Sequence, residues 1–378
     1  MGSPDTALRL PAAVLAQARG TAESLASLAG IDGRNVDAQQ LIGGRAALLG
    51  LQDRGRVSAG GATRLMSGDD GWCALTLSRP DDVDAVPALV ESDSVAGDPW
   101  AAVEWRIPEV GVAAFAERAR LLGLPIGVLG ETTAGPPRVR RTGGRATPAA
   151  VTDLLVVDMS SMWAGPLCGM LLALAGATVV KVESATRPDG TRAGPLAFFD
   201  WINGGKLSYE ADFAHPGSLA RLLGAADVVI ESSRPAALER RGLGPADHPA
   251  RDGRIWVRIT GHGTDGDRAN WVAFGDDAAV SGGLVGGAAD APVFCGDAIA
   301  DPLTGLHAAL AVMESRARGG GELVELSMAA VAAQYAQLPH QDEIICTAAP
   351  SARPRAARLG SDNAAVDRLV ARRLVTSC

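Results

Sequence analysis

The feature that most constrains this 378-residue chain is a set of short, almost wholly apolar runs separated by helical patterns. Leu154-Leu155-Val156-Val157-Asp158 is the first, with its acid at the C-terminal end. A helix is predicted from about Pro166 to Ala175, with Gly176 as its stop, and a strand over Thr178-Val179-Val180-Lys181-Val182-Glu183. Strands without polar alternation need both faces covered, which a parallel sheet between two helix layers provides. The pattern repeats with a helix from Gly217 to Leu223 and strands at Asp227–Glu231 and Ile255–Ile259. A long helix from Leu303 to Arg318 then breaks at Gly319-Gly320-Gly321, ahead of strand Leu323-Val324-Glu325-Leu326. The expected class is α/β, a doubly wound, Rossmann-like parallel sheet with a second, smaller α/β domain.

That smaller domain is expected within residues 1–132. Residues 1–60 read as mostly helical. Trp72 to Leu77 and Ile126 to Leu129 read as strands around a helix from Val112 to Leu122. Residues 133–149, rich in Gly, Pro, Thr and Arg, read as a linker in which Arg138, Arg140 and Arg141 form a solvated basic stretch. The Rossmann-like domain spans 150–340. Residues 341–378 read as a tail with a terminal helix from Asn363 to Arg373.

Several function classes are disfavoured. A net charge of −8 argues against nucleic acid or an anionic membrane as an obligatory partner. The uncharged stretch Met159 to Val180 imitates a membrane span, but Gly165-Pro166 and Gly176 divide it into two elements. The opening Met1-Gly2-Ser3-Pro4-Asp5 lacks a signal-peptide pattern, so a cytoplasmic location is expected. Cys73, Cys168, Cys295, Cys346 and Cys378 have no CxxC spacing, and the five histidines are scattered; no metal site is expected. No GxGxxG, Walker loop or GxSxG elbow occurs.

Ligands of doubly wound sheets sit at the carboxyl ends of the strands. Three segments fall there: Asp158-Met159-Ser160-Ser161, Glu231-Ser232-Ser233-Arg234-Pro235, and Thr260-Gly261-His262-Gly263. A fourth, Asp297 to His307, carries Asp301-Pro302, which local physics reads first as a helix N-cap followed by proline at N1. The only two lysines, Lys181 and Lys206, stand against 33 arginines. With Ala and Gly so frequent, this bias reads as that of a GC-rich coding sequence. The place of both lysines in Val180-Lys181-Val182-Glu183 and Asn203-Gly204-Gly205-Lys206 is what hints at a site that wants an ammonium rather than a guanidinium.

Read in order, these segments resemble the family III CoA-transferases, the superfamily of carnitine and formyl-CoA transferases and α-methylacyl-CoA racemase. The resemblance rests on Leu155-Val156-Val157-Asp158, Ala164-Gly165-Pro166, Val180-Lys181-Val182-Glu183 and Asn203-Gly204-Gly205-Lys206. It continues through Ala226 to Glu231 with Arg234-Pro235, Ile259 to Gly263, Asp301 with Thr304 to His307, and Gly320 to Ser327. It covers residues 151–328, about half of the chain.

The resemblance implies an acyl-CoA:carboxylate CoA-transferase in which Asp301 is the nucleophile and passes through a covalent aspartyl intermediate. A coenzyme A thioester is then the substrate, with no permanently bound cofactor. The partners are an acyl-CoA and a carboxylic acid, and the family's assembly implies a homodimer. Lys181, Glu183, Arg187, Arg192, Glu231, Ser232 and Arg234 would face CoA, its phosphates suiting arginine. Gly261, His262 and Gly263, with Ser281-Gly282-Gly283, would form turns able to hold an oxyanion.

Two alternatives stay open. In racemases of this superfamily a His-Asp pair precedes the Ser-Gly turn. Here the stretch reads Ala273-Phe274-Gly275-Asp276-Asp277, so α-proton exchange would need Asp276 or Asp277 beside Asp301. Their bland reading is a loop or helix cap. Ser184 and Ser232 replace residues common in the family, which with the missing histidine leaves room for a non-catalytic CoA-binding partner subunit. About 150 residues precede the matching segment, the order expected if small-domain material has moved forward.

Overall fold

In the computed structural model, which describes residues 8–376 apart from 96, 340, 341 and 347, six parallel strands form the central sheet. Met1 to Asp5 and Cys378 lie outside the described residues. In chain order these strands are Leu155–Asp158, Thr178–Glu183, Leu207–Glu210, Val228–Glu231, Ile255–Thr260 and Glu322–Ser327. Numbered one to six, they lie in the order 3-2-1-4-5-6. This is the doubly wound order, and its connectivity reverses between Leu155–Asp158 and Val228–Glu231. A seventh strand, Arg138–Arg141, runs antiparallel along the edge beside Glu322–Ser327. All four of its side chains are exposed, so the basic stretch is solvated as its composition suggests, yet its backbone belongs to the sheet.

The apolar runs are apolar on both sides because both sides are covered. Val156, Val228, Ile230, Val257 and Val324 enter one core with helices Ala164–Leu174 and Ala300–Ala317. Leu155, Val157, Val229, Trp256 and Leu323 point the other way, into a core closed by helices Gly217–Ala225 and Asn363–Thr376. This period of two is the strand geometry itself. Gly176, at φ +102°, ends the first crossover helix as expected.

The smaller unit is a three-stranded antiparallel sheet, Thr63–Gly68, Gly71–Thr76 and Ile126–Val128, packed on helices Pro99–Val110 and Val112–Leu121. Residues ahead of it go elsewhere. Helix Ala12–Ala29 sends Val14, Leu15, Ala18 and Leu25 into the large core beside helix Ala300–Ala317. The tail returns to meet it: Glu343–Ile345 pairs antiparallel with Arg9–Pro11. Among the described residues, no helix is long and apolar enough to cross a membrane.

Two close approaches fix the parts that matter for the site. Gly305 lies where helix Ala300–Ala317 crosses helix Ala164–Leu174; a Cβ there would stand 2.6 Å from the Ala164 carbonyl oxygen. Gly127 of the small sheet lets its backbone meet the Asp277 carbonyl of helix Gly275–Ser281.

Candidate active site

Asp301 does not cap its helix. The helix begins at Ala300 with Ile299 at the N-cap, so Asp301 stands inside the first turn and its carboxylate leaves the helix. Its Oδ1 accepts the Ala164 N–H at 3.3 Å, a donor brought into reach by the Gly305 crossing. The N-cap reading therefore yields to a tertiary contact, and the helix start lies earlier than the Asp-Pro pair suggests. Asp301 keeps partial exposure but is set deep among protein atoms. Burial lifts its carboxyl to about 7, while the Ala164 N–H and Arg45 pull it down and Asp276 and Asp297 push it up.

The aspartates singled out beside it converge here. Asp276 and Asp277 open helix Gly275–Ser281 and divide the work. Asp277, wholly buried, accepts the Phe274 N–H at 3.0 Å in a capping box and the Thr76 hydroxyl at 2.7 Å. Asp276 accepts the Ala298 N–H at 3.0 Å and the Thr63 hydroxyl at 3.4 Å. Burial raises it to about 7, with Asp297 adding to the rise. Ala298 sits at φ +42°, a left-handed conformation rare for a residue with a Cβ, on the loop that enters the Asp301 helix.

Sequence reasoning placed Asp297 at the head of the fourth segment without a role and missed Arg45 altogether. Asp297 is fully buried and pairs with Arg45 of helix Ala38–Leu49, Nη1 to Oδ1 at 2.5 Å. The Arg45 guanidinium also faces the Trp163 and Phe198 rings, at 5.7 and 5.6 Å from their centroids. A basic residue more than 250 positions away in a helical pattern carries no local signal of this role. Among the described residues, no group of three or more His, Cys, Asp or Glu side chains could hold a metal ion.

The residues expected to face CoA fall into two sets. One is spent on internal pairing. Lys181 is buried, bonding the Ser160 carbonyl and, at 2.8 Å, Asp189. Glu183 takes Arg192 in a two-bonded pair at 2.8 and 2.6 Å, and Arg192 lies over the Phe199 ring. Glu231 is buried against Arg258 at 2.7 Å and the Trp256 indole N–H at 2.9 Å. Lys206 is equally enclosed, donating to Asp158 at 2.9 Å, the Pro166 carbonyl at 2.7 Å and Asn203 at 2.9 Å. Three donors pointing at three acceptors is what an ammonium, not a planar guanidinium, can satisfy.

The other set is accessible. Arg187 and Arg234 are exposed, each just beyond the carboxyl end of a strand flanking Leu155–Asp158. Ser232 is half-buried and accepts the Ser161 N–H at 3.2 Å. Met162, in the same switch-point loop, has φ +73°.

In the two glycine turns three of the expected donors are already engaged. The N–H groups of Gly282 and Gly283 go to the Ala278 and Val280 carbonyls. The Gly263 N–H goes to the Thr260 hydroxyl at 3.1 Å, and the Gly261 carbonyl accepts the Ala329 N–H at 3.0 Å. His262 is buried, edge-on to Trp271, with Nδ1 3.4 Å from the Ser281 hydroxyl. Burial, with Arg120 and Arg268 nearby, lowers it to about 3, so it is neutral at pH 7.

The architecture is a doubly wound sheet whose connectivity reverses between Leu155–Asp158 and Val228–Glu231, with the raised carboxyl of Asp301 on a helix that crosses the first crossover helix. The family description that matches is CoA-transferase family III, over residues 151–366, and the chain belongs to that family. The chain is 30% identical over 199 residues to the succinyl-CoA–D-citramalate CoA-transferase of Chloroflexus aurantiacus, covering 48% of this chain and 50% of that protein. It is 31% identical over 216 residues to the succinate–glutarate CoA-transferase of Agrobacterium fabrum, covering 51% and 54%. The solved structure of Rv3272 from Mycobacterium tuberculosis aligns over 50% of this chain and 57% of that one, at 30% identity and a TM-score of 0.45. The chain thus spans about half the length of the curated relatives it matches.

Proposed function

We propose that this chain is an acyl-CoA:carboxylate CoA-transferase that works through Asp301. The observation that carries the reading is the Asp301 carboxylate itself. It is turned out of its helix, held by one backbone N–H, and raised to about 7, within the family-matched segment. Poor solvation makes a carboxylate a better nucleophile than it is in water.

The steps balance without a net proton. An Asp301 oxygen attacks the thioester carbonyl, the C–S bond breaks, and CoA thiolate leaves a mixed anhydride. The thiolate attacks the Asp301 carbonyl carbon, releasing the first carboxylate and leaving an aspartyl-CoA thioester. The incoming carboxylate attacks that thioester and expels thiolate. The thiolate then takes the new acyl group and restores the Asp301 carboxylate.

CoA is read at the carboxyl edge of the sheet, where the exposed Arg187 and Arg234 suit its phosphates. Lys181, Glu183, Arg192 and Glu231 support this edge from below by fixing its loops. Relatives named for succinyl-CoA with D-citramalate and for succinate with glutarate favour a small carboxylic acid as acceptor. The test is CoA exchange between an acyl-CoA and a free carboxylate, with succinyl-CoA as the first donor. Asp301→Ala should lose at least about a thousandfold in rate, and a variant that keeps full activity contradicts the mechanism.

One observation favours a second reading. Asp276 and Asp301 interact electrostatically and are both raised to about 7, the setting of a proton-exchanging acid pair. Deuterium entering the α-carbon of an acyl-CoA without CoA exchange would select this racemase chemistry.

A further inference from the structure

We propose that Asp189, with Lys181 behind it, is a positioning residue for Asp301: it locks the loop 160–163 so that the N–H which follows, that of Ala164, meets the nucleophile. The proposal rests on the reading of Asp301 as that nucleophile.

The loop joins strand Leu155–Asp158 to helix Ala164–Leu174, and side chains from several elements hold its backbone. The Ser160 N–H goes to Asp158 at 3.1 Å and the Ser161 N–H to the Ser232 hydroxyl at 3.2 Å. The Met162 N–H goes to both carboxylate oxygens of Asp189, each at 3.2 Å. Trp163, at the N-cap of the helix, makes no side-chain cap bond, and the first N–H of that helix, Ala164, goes to Asp301 at 3.3 Å. The two carboxylates under the loop each hold one of the chain's only two lysines, Lys206 on Asp158 at 2.9 Å and Lys181 on Asp189 at 2.8 Å. Lys181 also donates to the Ser160 carbonyl, so the Lys181–Asp189 pair grips the loop at Ser160 and again at Met162.

Asp189 is the member whose geometry decides where the Ala164 N–H points. It is buried, and Glu183 fixes its backbone by accepting its N–H at 2.9 Å. Its carboxylate is fixed in turn by the Thr191 N–H at 3.0 Å and the Thr191 hydroxyl at 2.7 Å. The residue it holds, Met162, has φ +73°, a conformation that a residue with a Cβ keeps only where its neighbours enforce it. Released, Met162 would relax to negative φ and redirect the chain two residues ahead of the Ala164 N–H. An apolar pair of equal volume would fill the space under the loop as stably as this ion pair. It could neither accept the Met162 N–H nor donate to the Ser160 carbonyl.

The test follows the Ala164 amide proton by NMR in the ligand-free protein, so that no turnover enters. In the parent its shift should titrate through about pH 7 with Asp301, and in Asp301→Asn it should not. Asp189→Glu keeps every charge and displaces the carboxylate by one methylene, and Lys181→Met with Asp189→Ala removes both charges together. Neither touches Arg45, Asp276, Asp277 or Asp297, the charged groups that face Asp301. In either variant the titration shift of Ala164 should shrink by about half or more, and kcat for CoA exchange should fall about tenfold or more. A parent Ala164 amide that does not follow Asp301 overturns the proposal whether or not the variants fold. So does a folded variant in which that amide titrates at full size. Failure of the aspartyl mechanism is a separate result: no acyl adduct on Asp301, although the Ala164 amide titrates and responds to both variants as expected.

Discussion

Asp301 carries a charge that its surroundings resist, and its pH dependence follows from that. In the proposed mechanism only the carboxylate attacks, so CoA exchange should rise with pH through about 7 and level off above it, instead of being complete by pH 5. A rate already at its plateau at pH 5 would contradict this. Asp276 gives a stability prediction of defined sign. Its folded value, about 7, lies above its ordinary 3.8, so between those limits the folded protein holds a proton that the unfolded chain has released. Stability attributable to it is therefore lost as pH rises from about 4 to 7. Asp276→Asn keeps an acceptor for the Ala298 N–H and removes the ionisation. Relative to the parent it should gain on the order of 2 kcal/mol at pH 8 compared with pH 5, read by urea unfolding at both. An equal loss in both proteins would assign the effect elsewhere.

At the scale of elements, Lys206 ties strand Leu155–Asp158 to helices Ala164–Leu174 and Leu196–Asn203 through one ammonium. Lys206→Met strands the buried Asp158 partner and should cost about 3–5 kcal/mol in chemical denaturation. Lys206→Arg should fail to restore it, since the planar fork cannot meet the three acceptors; full recovery would show that charge alone matters. Gly305→Ala should cost about 1–3 kcal/mol by overpacking and also slow transfer, because the crossing it widens holds the Ala164 N–H on Asp301.

Much of this level was legible in the sequence. Strand Thr178–Glu183 and the stop at Gly176 follow from apolar runs and local chemistry, and the ordered motifs identify the family. Asp301 was legible only through resemblance, since its local signal is that of a cap. Arg45, Thr63 and Thr76 were illegible, and Asp297 was visible only as the head of the fourth segment: each acts through a contact made by tertiary folding. The internal fate of Lys181, Glu183 and Glu231 likewise depends on partners that spacing does not reveal.

For the whole molecule, the chain ahead of residue 151 is built into the same cores as the family-matched segment. Helix Ala12–Ala29 fills the large core, Arg45 reaches Asp297, and Thr63 and Thr76 of the small sheet hold Asp276 and Asp277. We accordingly propose that the working divisions are the large sheet with both chain ends and the small sheet leaning on helix Gly275–Ser281. Residues 150–378 alone should then lack a cooperative thermal transition, having lost one wall of that core. A sharp two-state transition in that fragment, seen by circular dichroism, would refute this division.

The central claim is tested most directly by mass spectrometry of the protein mixed with succinyl-CoA and a panel of other acyl-CoAs, beside Asp301→Ala. A CoA or acyl adduct on the peptide holding Asp301, absent from the variant, is the predicted result. An adduct that persists in Asp301→Ala, or CoA exchange that proceeds at the parent rate in that variant, would contradict it.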